Sequence, residues 1–226
     1  VIVFENVSKT FDELVVLRDL DLHIREGEIL GIVGPSGVGK STVLKLITGI
    51  IAPDEGRVRV IGGPLAYVFQ EPRLLPWRTA RDNVAVALRA RGMDKAAARE
   101  RADQWLQRVG LKGFEDYHPA ELSGGMAQRV SIARAFAIEP RILLLDEPFS
   151  NMDAPLRSSL MSVLKEMIQE RQPTVVLVTH ELTEALQLAH RIVELSPDHR
   201  VRELDLTDRR SVAAEWLSGV VGKLEK

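Results

Sequence analysis

The chain has 226 residues, 45% of them apolar and 27% charged, with a net charge of −2. That length supports one sizeable core, and the near-neutral balance excludes a strongly basic nucleic-acid surface. The lack of cysteine excludes disulfides and thiolate metal sites and fits a reducing compartment.

In chain order, "VIVFENV" and "LVVLRDLDLHI" alternate with β-branched residues and predict strands. No apolar run reaches the roughly 18 residues of a membrane span, and the charged opening lacks a signal-peptide layout. "EILGIVG" predicts a short buried strand. From Lys40, Val43, Leu44, Ile47 and Ile50 fall at helical spacing. "GRVRVIG" and "LAYVFQ" predict two further strands. The pattern then turns helical. One helix is capped by Thr79 and ends near Gly92, a second is capped by Asp94 and ends at Gly110, and a third starts at Ser123 and stops before Pro140.

Strand and helix alternate again afterwards. "RILLLDEP" and "PTVVLVTH" predict buried strands. Between them lies a helix with Leu156, Leu160, Val163, Leu164, Met167 and Ile168 on one face. After "PTVVLVTH" comes a helix with Leu182, Ala185, Leu186 and Ala189 inward. Two short strands and a last helix, "RSVAAEWLSGVV", close the sequence. Apolar strands alternating with helices predict an α/β fold with a mostly parallel sheet covered on both faces. The N-terminal strands add an antiparallel β part. The helical run is an insertion at 79–138, and 1–78 with 139–226 form the core of a single domain.

Gly34-Pro35-Ser36-Gly37-Val38-Gly39-Lys40-Ser41 matches G-x-x-x-x-G-K-[ST] between a strand and a helix, the context a phosphate-binding loop requires. Its glycines let backbone N–H groups turn inward around phosphates. Lys40 is suited to reach the β- and γ-phosphates, Ser41 to ligate Mg²⁺, and Thr42 to hold the α-phosphate side. The motif in this context predicts a P-loop NTPase core. The strand "ILLLDE" ends in two carboxylates. Asp146 is suited to hold Mg²⁺ and Glu147 to polarise an attacking water, although acids are also common where strands meet solvent. His180 ends the next apolar strand, where an imidazole can serve a γ-phosphate or a water, or be merely structural.

"ELSGGMAQRV" supplies a second anion-binding pattern, a Ser and two Gly opening a helix. With "GPSGVGKST", "ILLLDEP" and "VTH", in that family's order and spacing, the chain resembles ABC-transporter ATPase subunits from Phe4 to about Leu195. The resemblance implies that two chains pair head to tail around ATP and Mg²⁺. Ser123, Gly124 and Gly125, with Gln128 nearby, would then meet the γ-phosphate held by a partner chain. It implies that Gln70 contacts Mg²⁺ and relays the nucleotide state, and that Phe11 stacks on adenine with Val16 beside it. Asp153 would cross the dimer interface, besides capping the helix that follows it.

"VFQEPRLLPWRTARDNV" is most similar to the import ATPases for nitrate, sulfonates and taurine. It implies a homodimer on the cytoplasmic face of the plasma membrane, docked to a permease through the Gln70–Trp77 region and served indirectly by a solute-binding protein. The apolar cluster Leu74, Leu75, Pro76 and Trp77 fits a docking patch, or a plug between subdomains. The sequence departs from the family pattern at Ala127, Asn151 and Met152 and in a short run before Gln70. A non-transport relative acting on nucleic acid or the ribosome is the alternative. The missing basic patch, coiled-coil insertion and tandem cassette weigh against it.

Overall fold

The computed structural model describes residues 1–150 and 152–207. The terminal helix expected over "RSVAAEWLSGVV" lies outside the described residues, as does Asn151. The chain divides into two units, one of residues 1–62 with Thr174 onward and the other of Gly63–Pro173.

In the first unit, β1 (Ile2–Phe11) and β2 (Leu14–Ile24) form a hairpin. Its turn uses Asp12 at a φ of 51°, a region Asp tolerates better than most residues. Strand β4 (Glu55–Val60) joins the other edge of β1, giving a three-stranded antiparallel sheet. Strand β3 (Ile29–Val33) is buried throughout. It runs parallel to both β7 (Thr174–Thr179) and β8 (Arg191–Leu195). A short β9 (Val201–Glu203) pairs antiparallel with β8. Gly31 lets helix α6 (Leu182–Leu188) sit close, since a Cβ there would lie 3.1 Å from the Ala185 Cβ.

Helix α1 (Lys40–Ile47) ends sooner than its apolar spacing suggests. Gly49 turns the chain at a φ of 70°, so Ile50 points outward at 66% exposure instead of joining the core. In α6, Leu186 is only half-buried while Leu188 is buried. Glu184 also faces inward, where its carboxylate accepts a 2.6 Å hydrogen bond from the Thr179 hydroxyl.

In the second unit, β5 (Leu65–Val68) and β6 (Ile142–Asp146) pair in parallel. Between them in sequence come α2 (Ala80–Ala90), α3 (Lys95–Arg108) and α4 (Gly124–Ala137). Thr79, Asp94 and Ser123 cap these helices by accepting from the backbone N–H groups of Asp82, Ala97 and Met126. Each such cap contributes on the order of 1 kcal/mol. Their shared core holds Trp105, fully buried beside Phe136, with the Arg108 guanidinium 4.8 Å from the indole. Helix α5 (Ala154–Arg171) buries Leu160, Met161, Leu164, Met167 and Ile168. Leu156 and Val163 are only half-buried, and Met161 takes the inward place that spacing alone assigned to Val163. The fold is therefore α/β, with parallel strands, an antiparallel N-terminal sheet and helices inserted between β5 and β6.

Candidate functional site

The loop between β3 and α1 belongs to the first unit. Gly34, Gly37 and Gly39 have φ values of 154°, 80° and 111°. At Gly39 a Cβ would lie 2.4 Å from Val16 Cγ1, and at Gly34 one would lie 2.3 Å from the Leu195 carbonyl oxygen. Glycine is required at both places by space as well as by dihedral angle. Gly39 is also the N-cap of α1 and offers that helix no side-chain acceptor. The first-turn N–H groups and the positive end of the helix dipole therefore suit a phosphate.

Pro35 and Ser36 are exposed, Val38 and Thr42 are buried, and Ser41 is half-buried in the first turn of the helix. Lys40 is 4% exposed. Its ammonium donates to the carbonyls of Gly34 at 2.9 Å and Pro35 at 2.8 Å, which holds the cation inside the loop. Phe11 presents a ring that is 42% exposed, with the Lys9 ammonium 5.3 Å from its centre. Val16 is buried behind the loop against Gly39, so the surface it offers a base is small. His180 follows β7 with a side chain 44% exposed and its Nε2 3.9 Å from a Glu181 oxygen.

The second unit holds the acidic strand end. Asp146 closes β6 and is 7% exposed. The Tyr67 hydroxyl donates to Asp146 Oδ2 at 2.8 Å, and the Tyr67 ring stacks on Phe69 at 4.1 Å. Burial, and then the bond to Asp146, push the Tyr67 phenol well above its ordinary value, so it remains a donor. Glu147 follows at a φ of 44°, a strained conformation for a residue with a side chain. The Gln70 side-chain amide donates to Glu147 Oε2 at 3.2 Å. The structure thus brings Gln70, Asp146 and Glu147 to one strand end.

Ser123 and Gly124 are exposed at the start of α4, and Ser123 Oγ accepts from the Met126 N–H at 3.3 Å. Gly125 is buried, and a Cβ there would lie 2.2 Å from Leu156 Cδ2. Gln128 departs from the sequence expectation. It is 3% exposed and its amide donates to the carbonyls of Phe69 and Pro148, each at 3.2 Å. One turn below the exposed end, it faces its own chain's interior, away from any ligand at that end. Asp153 caps α5 by accepting from the Leu156 N–H at 2.8 Å and is itself exposed.

The apolar loop cluster is narrower than its sequence. Trp77 is 70% exposed, but Leu74 and Leu75 are half-buried. Asn83, fully buried on α2, pins the loop by accepting from the Leu75 N–H and donating to the carbonyls of Leu75, Arg78 and Thr79. Arg134 of α4 donates to the carbonyls of Pro72 and Arg73 at 2.8 and 3.0 Å. Burial lowers the pKa of its guanidinium. Sequence reading missed Tyr67, Asn83 and Arg134. For Asn83 the available signal was a polar residue at an inward position of its helix.

The ABC transporter family model matches residues 17–150. The aliphatic sulfonates import ATP-binding protein SsuB of Bacillus licheniformis is 44% identical over 207 residues, covering 87% of this chain and 80% of that protein. The taurine import ATP-binding protein TauB of Pseudomonas aeruginosa is 42% identical over 223 residues, covering 93% and 85%. The Fe(3+) ions import ATP-binding protein FbpC of Agrobacterium fabrum is 41% identical over 232 residues. That match covers 96% of this chain but only 65% of the relative's length. Among solved structures, a dimeric ATP-binding cassette in a post-hydrolysis state with ADP and Pi has a TM-score of 0.80 at 33% identity, covering 91% of this chain and 99% of that one. A dimeric bacterial ABC transporter cassette has a TM-score of 0.81 at 34% identity over the same shares.

Proposed function

This chain belongs to the ABC transporter family of ATP-hydrolysing cassettes, and on that premise we propose that it is the ATP-hydrolysing subunit of a bacterial importer. Two chains would pair head to tail around two ATP molecules. The glycines of the Gly34–Gly39 loop and Lys40 take the triphosphate, and Phe11 stacks on the base, a contact contributing about 1–3 kcal/mol. Ser123, Gly124 and Gly125 of the partner subunit close over the γ-phosphate, and Asp153 lies at the same interface. Glu147 orients and deprotonates water, with His180 beside the γ-phosphate. Catalysis then rests on positioning and charge stabilisation.

A divalent metal fits the donor set. Ser41 would supply a hydroxyl, Asp146 a carboxylate and Gln70 an amide oxygen, all hard oxygen ligands. Among the described residues no group of three or more His, Cys, Asp or Glu is clustered to cage a metal. Mg²⁺ retains water and takes few protein ligands beside phosphate oxygens. When bound, it would neutralise charge on the transferring phosphoryl group.

The observation that carries the paired reading is Gly124. It is exposed at a helix N-terminus, and among the described residues nothing outside its own helix backbone and chain neighbours lies within 4 Å of where its Cβ would be. Packing does not call for glycine there, whereas close approach of an external phosphate does. Coupling to a permease would run through Gln70 and the exposed Trp77. No described helix is long and apolar enough to cross a membrane. By analogy with the import relatives, the place proposed is peripheral, at the cytoplasmic face, with a solute-binding protein delivering cargo and no nucleic acid involved.

The proposed cargo is a small anion such as nitrate, a sulfonate or taurine. The long coverage of the sulfonate and taurine import relatives supports this. The test of the site is Glu147→Gln, expected to bind ATP, to lose at least about a hundredfold in hydrolysis and to accumulate an ATP-bound dimer. Wild-type turnover would remove Glu147 as the base.

A further inference from the structure

The Gln128 side chain joins two backbone segments that the proposed chemistry needs held together. Its amide nitrogen donates to the carbonyl of Phe69, the residue before Gln70, and to the carbonyl of Pro148, the residue after Glu147. Gln70 in turn donates to Glu147. These contacts close a ring: Gln128, Phe69–Gln70, Glu147–Pro148, and back to Gln128. The two amide protons are matched by two carbonyls, which fixes the orientation of the amide.

The arrangement is not what packing alone would select. Among the described residues Gln128 Oε1 is buried without a hydrogen-bond partner, a feature that costs stability and that an apolar side chain of similar size would avoid. The donors bear directly on a strained backbone. Glu147 keeps its φ of 44° only if its surroundings over-determine it. The Ser150 N–H bonds the Glu147 carbonyl at 3.1 Å on one side, and Gln128 fixes the Pro148 carbonyl on the other.

We infer that Gln128 is a positioning residue: it sets the place of the Glu147 carboxylate through Pro148 and of Gln70 through Phe69, tying both to the helix that carries Ser123 and Gly124. The inference rests on the reading of Glu147 as the base. On this inference Gln128 acts through those two neighbours and not on the reacting atoms.

The test is Gln128→Met, which keeps the volume and removes both donors. Steady-state hydrolysis is expected to lose about 10- to 100-fold in kcat, the scale of a small misplacement at a reacting centre, with KM for ATP within about twofold of wild type. A second measurement separates positioning from general damage. In a Glu147→Gln background, Gln128→Met should cause a much smaller loss than it causes alone, because the part of its effect that passes through Glu147 is already removed and only the part through Gln70 is left. Gln128→Asn, one methylene shorter, should reach one carbonyl at most and give an intermediate loss. If Gln128→Met does not fold, Gln128→Asn alone and in the Glu147→Gln background carries the same comparison.

Undiminished kcat overturns the inference, as does an equal further loss on top of Glu147→Gln, or a defect confined to KM or thermal stability. Glu147→Gln measured alone keeps the two ideas apart. Wild-type turnover there defeats the reading of the base, whereas an inactive Glu147→Gln with a fully active Gln128→Met defeats only the role of Gln128.

Discussion

Replacing Gly124 with Ala separates what this chain needs for itself from what it needs for a partner. Gly124 is the first residue of α4, has no left-handed φ, and leaves open space where a Cβ would stand. Within one chain the change is favourable, because Ala exceeds Gly in helix propensity by about 0.5–1 kcal/mol. For a domain of this size that raises Tm by about 1–4 °C. ATP binding to an isolated chain uses the Lys40 loop and should be unchanged. A methyl group on the face proposed to receive the partner's γ-phosphate should nevertheless hold the two chains apart, and hydrolysis should fall at least about tenfold. Thermal melting without nucleotide, binding of a fluorescent ATP analogue and steady-state phosphate release read the three quantities separately. Gly125→Ala serves as the contrast. Its Cβ would lie 2.2 Å from Leu156 Cδ2, so that variant should lose stability as well as activity. A Gly124→Ala protein that is as stable as wild type and hydrolyses ATP at the full rate would refute the reasoning.

Two further outcomes follow from side-chain geometry. Tyr67→Phe keeps the stack on Phe69 and removes the 2.8 Å bond to Asp146, so Mn²⁺ or Mg²⁺ affinity of the nucleotide complex should fall about 10- to 100-fold; calorimetric titration at unchanged affinity would count against it. At Glu28, burial alone would raise the carboxyl pKa, but hydrogen bonds from Arg191 and the Arg25 backbone, with their charges, outweigh it and hold it below 4.5. The unfolded chain then binds the proton more readily, so the stabilisation is complete above about 4.5 and is lost as pH falls through the lower folded value. Urea titrations should show wild type more stable than Glu28→Gln at pH 6, with the gap closing below about pH 4; a constant gap would contradict this assignment.

Features with short-range causes were legible in the sequence. The phosphate loop is one, because glycine spacing, the lysine and the flanking strand and helix are all local. The caps at Thr79, Asp94, Ser123 and Asp153 are others, each accepting from an N–H three residues on. What escaped depends on which distant segments the topology brings together. Tyr67 meets Asp146 across 79 positions, and Arg134 meets Pro72 across 62. The contacts of Gln128 depend on distant segments in the same way. Its place near Ser123 suggested a ligand contact, yet the helical turn directs it toward Phe69 and Pro148. Ile50 and Glu184 show the limit of periodicity, since a glycine turn expelled the one and a buried threonine hydroxyl drew in the other.

The most direct test of the shared ATP site is a crosslink between chains. The protein has no cysteine, so Ser36→Cys and Ser123→Cys, both at exposed positions, can be made in separate preparations and mixed. In a Glu147→Gln background, ATP with Mg²⁺ should let a short bifunctional thiol reagent join the two kinds of chain into a covalent dimer, and omission of ATP should abolish it. ATP-saturated chains that never crosslink at this pair would contradict the account.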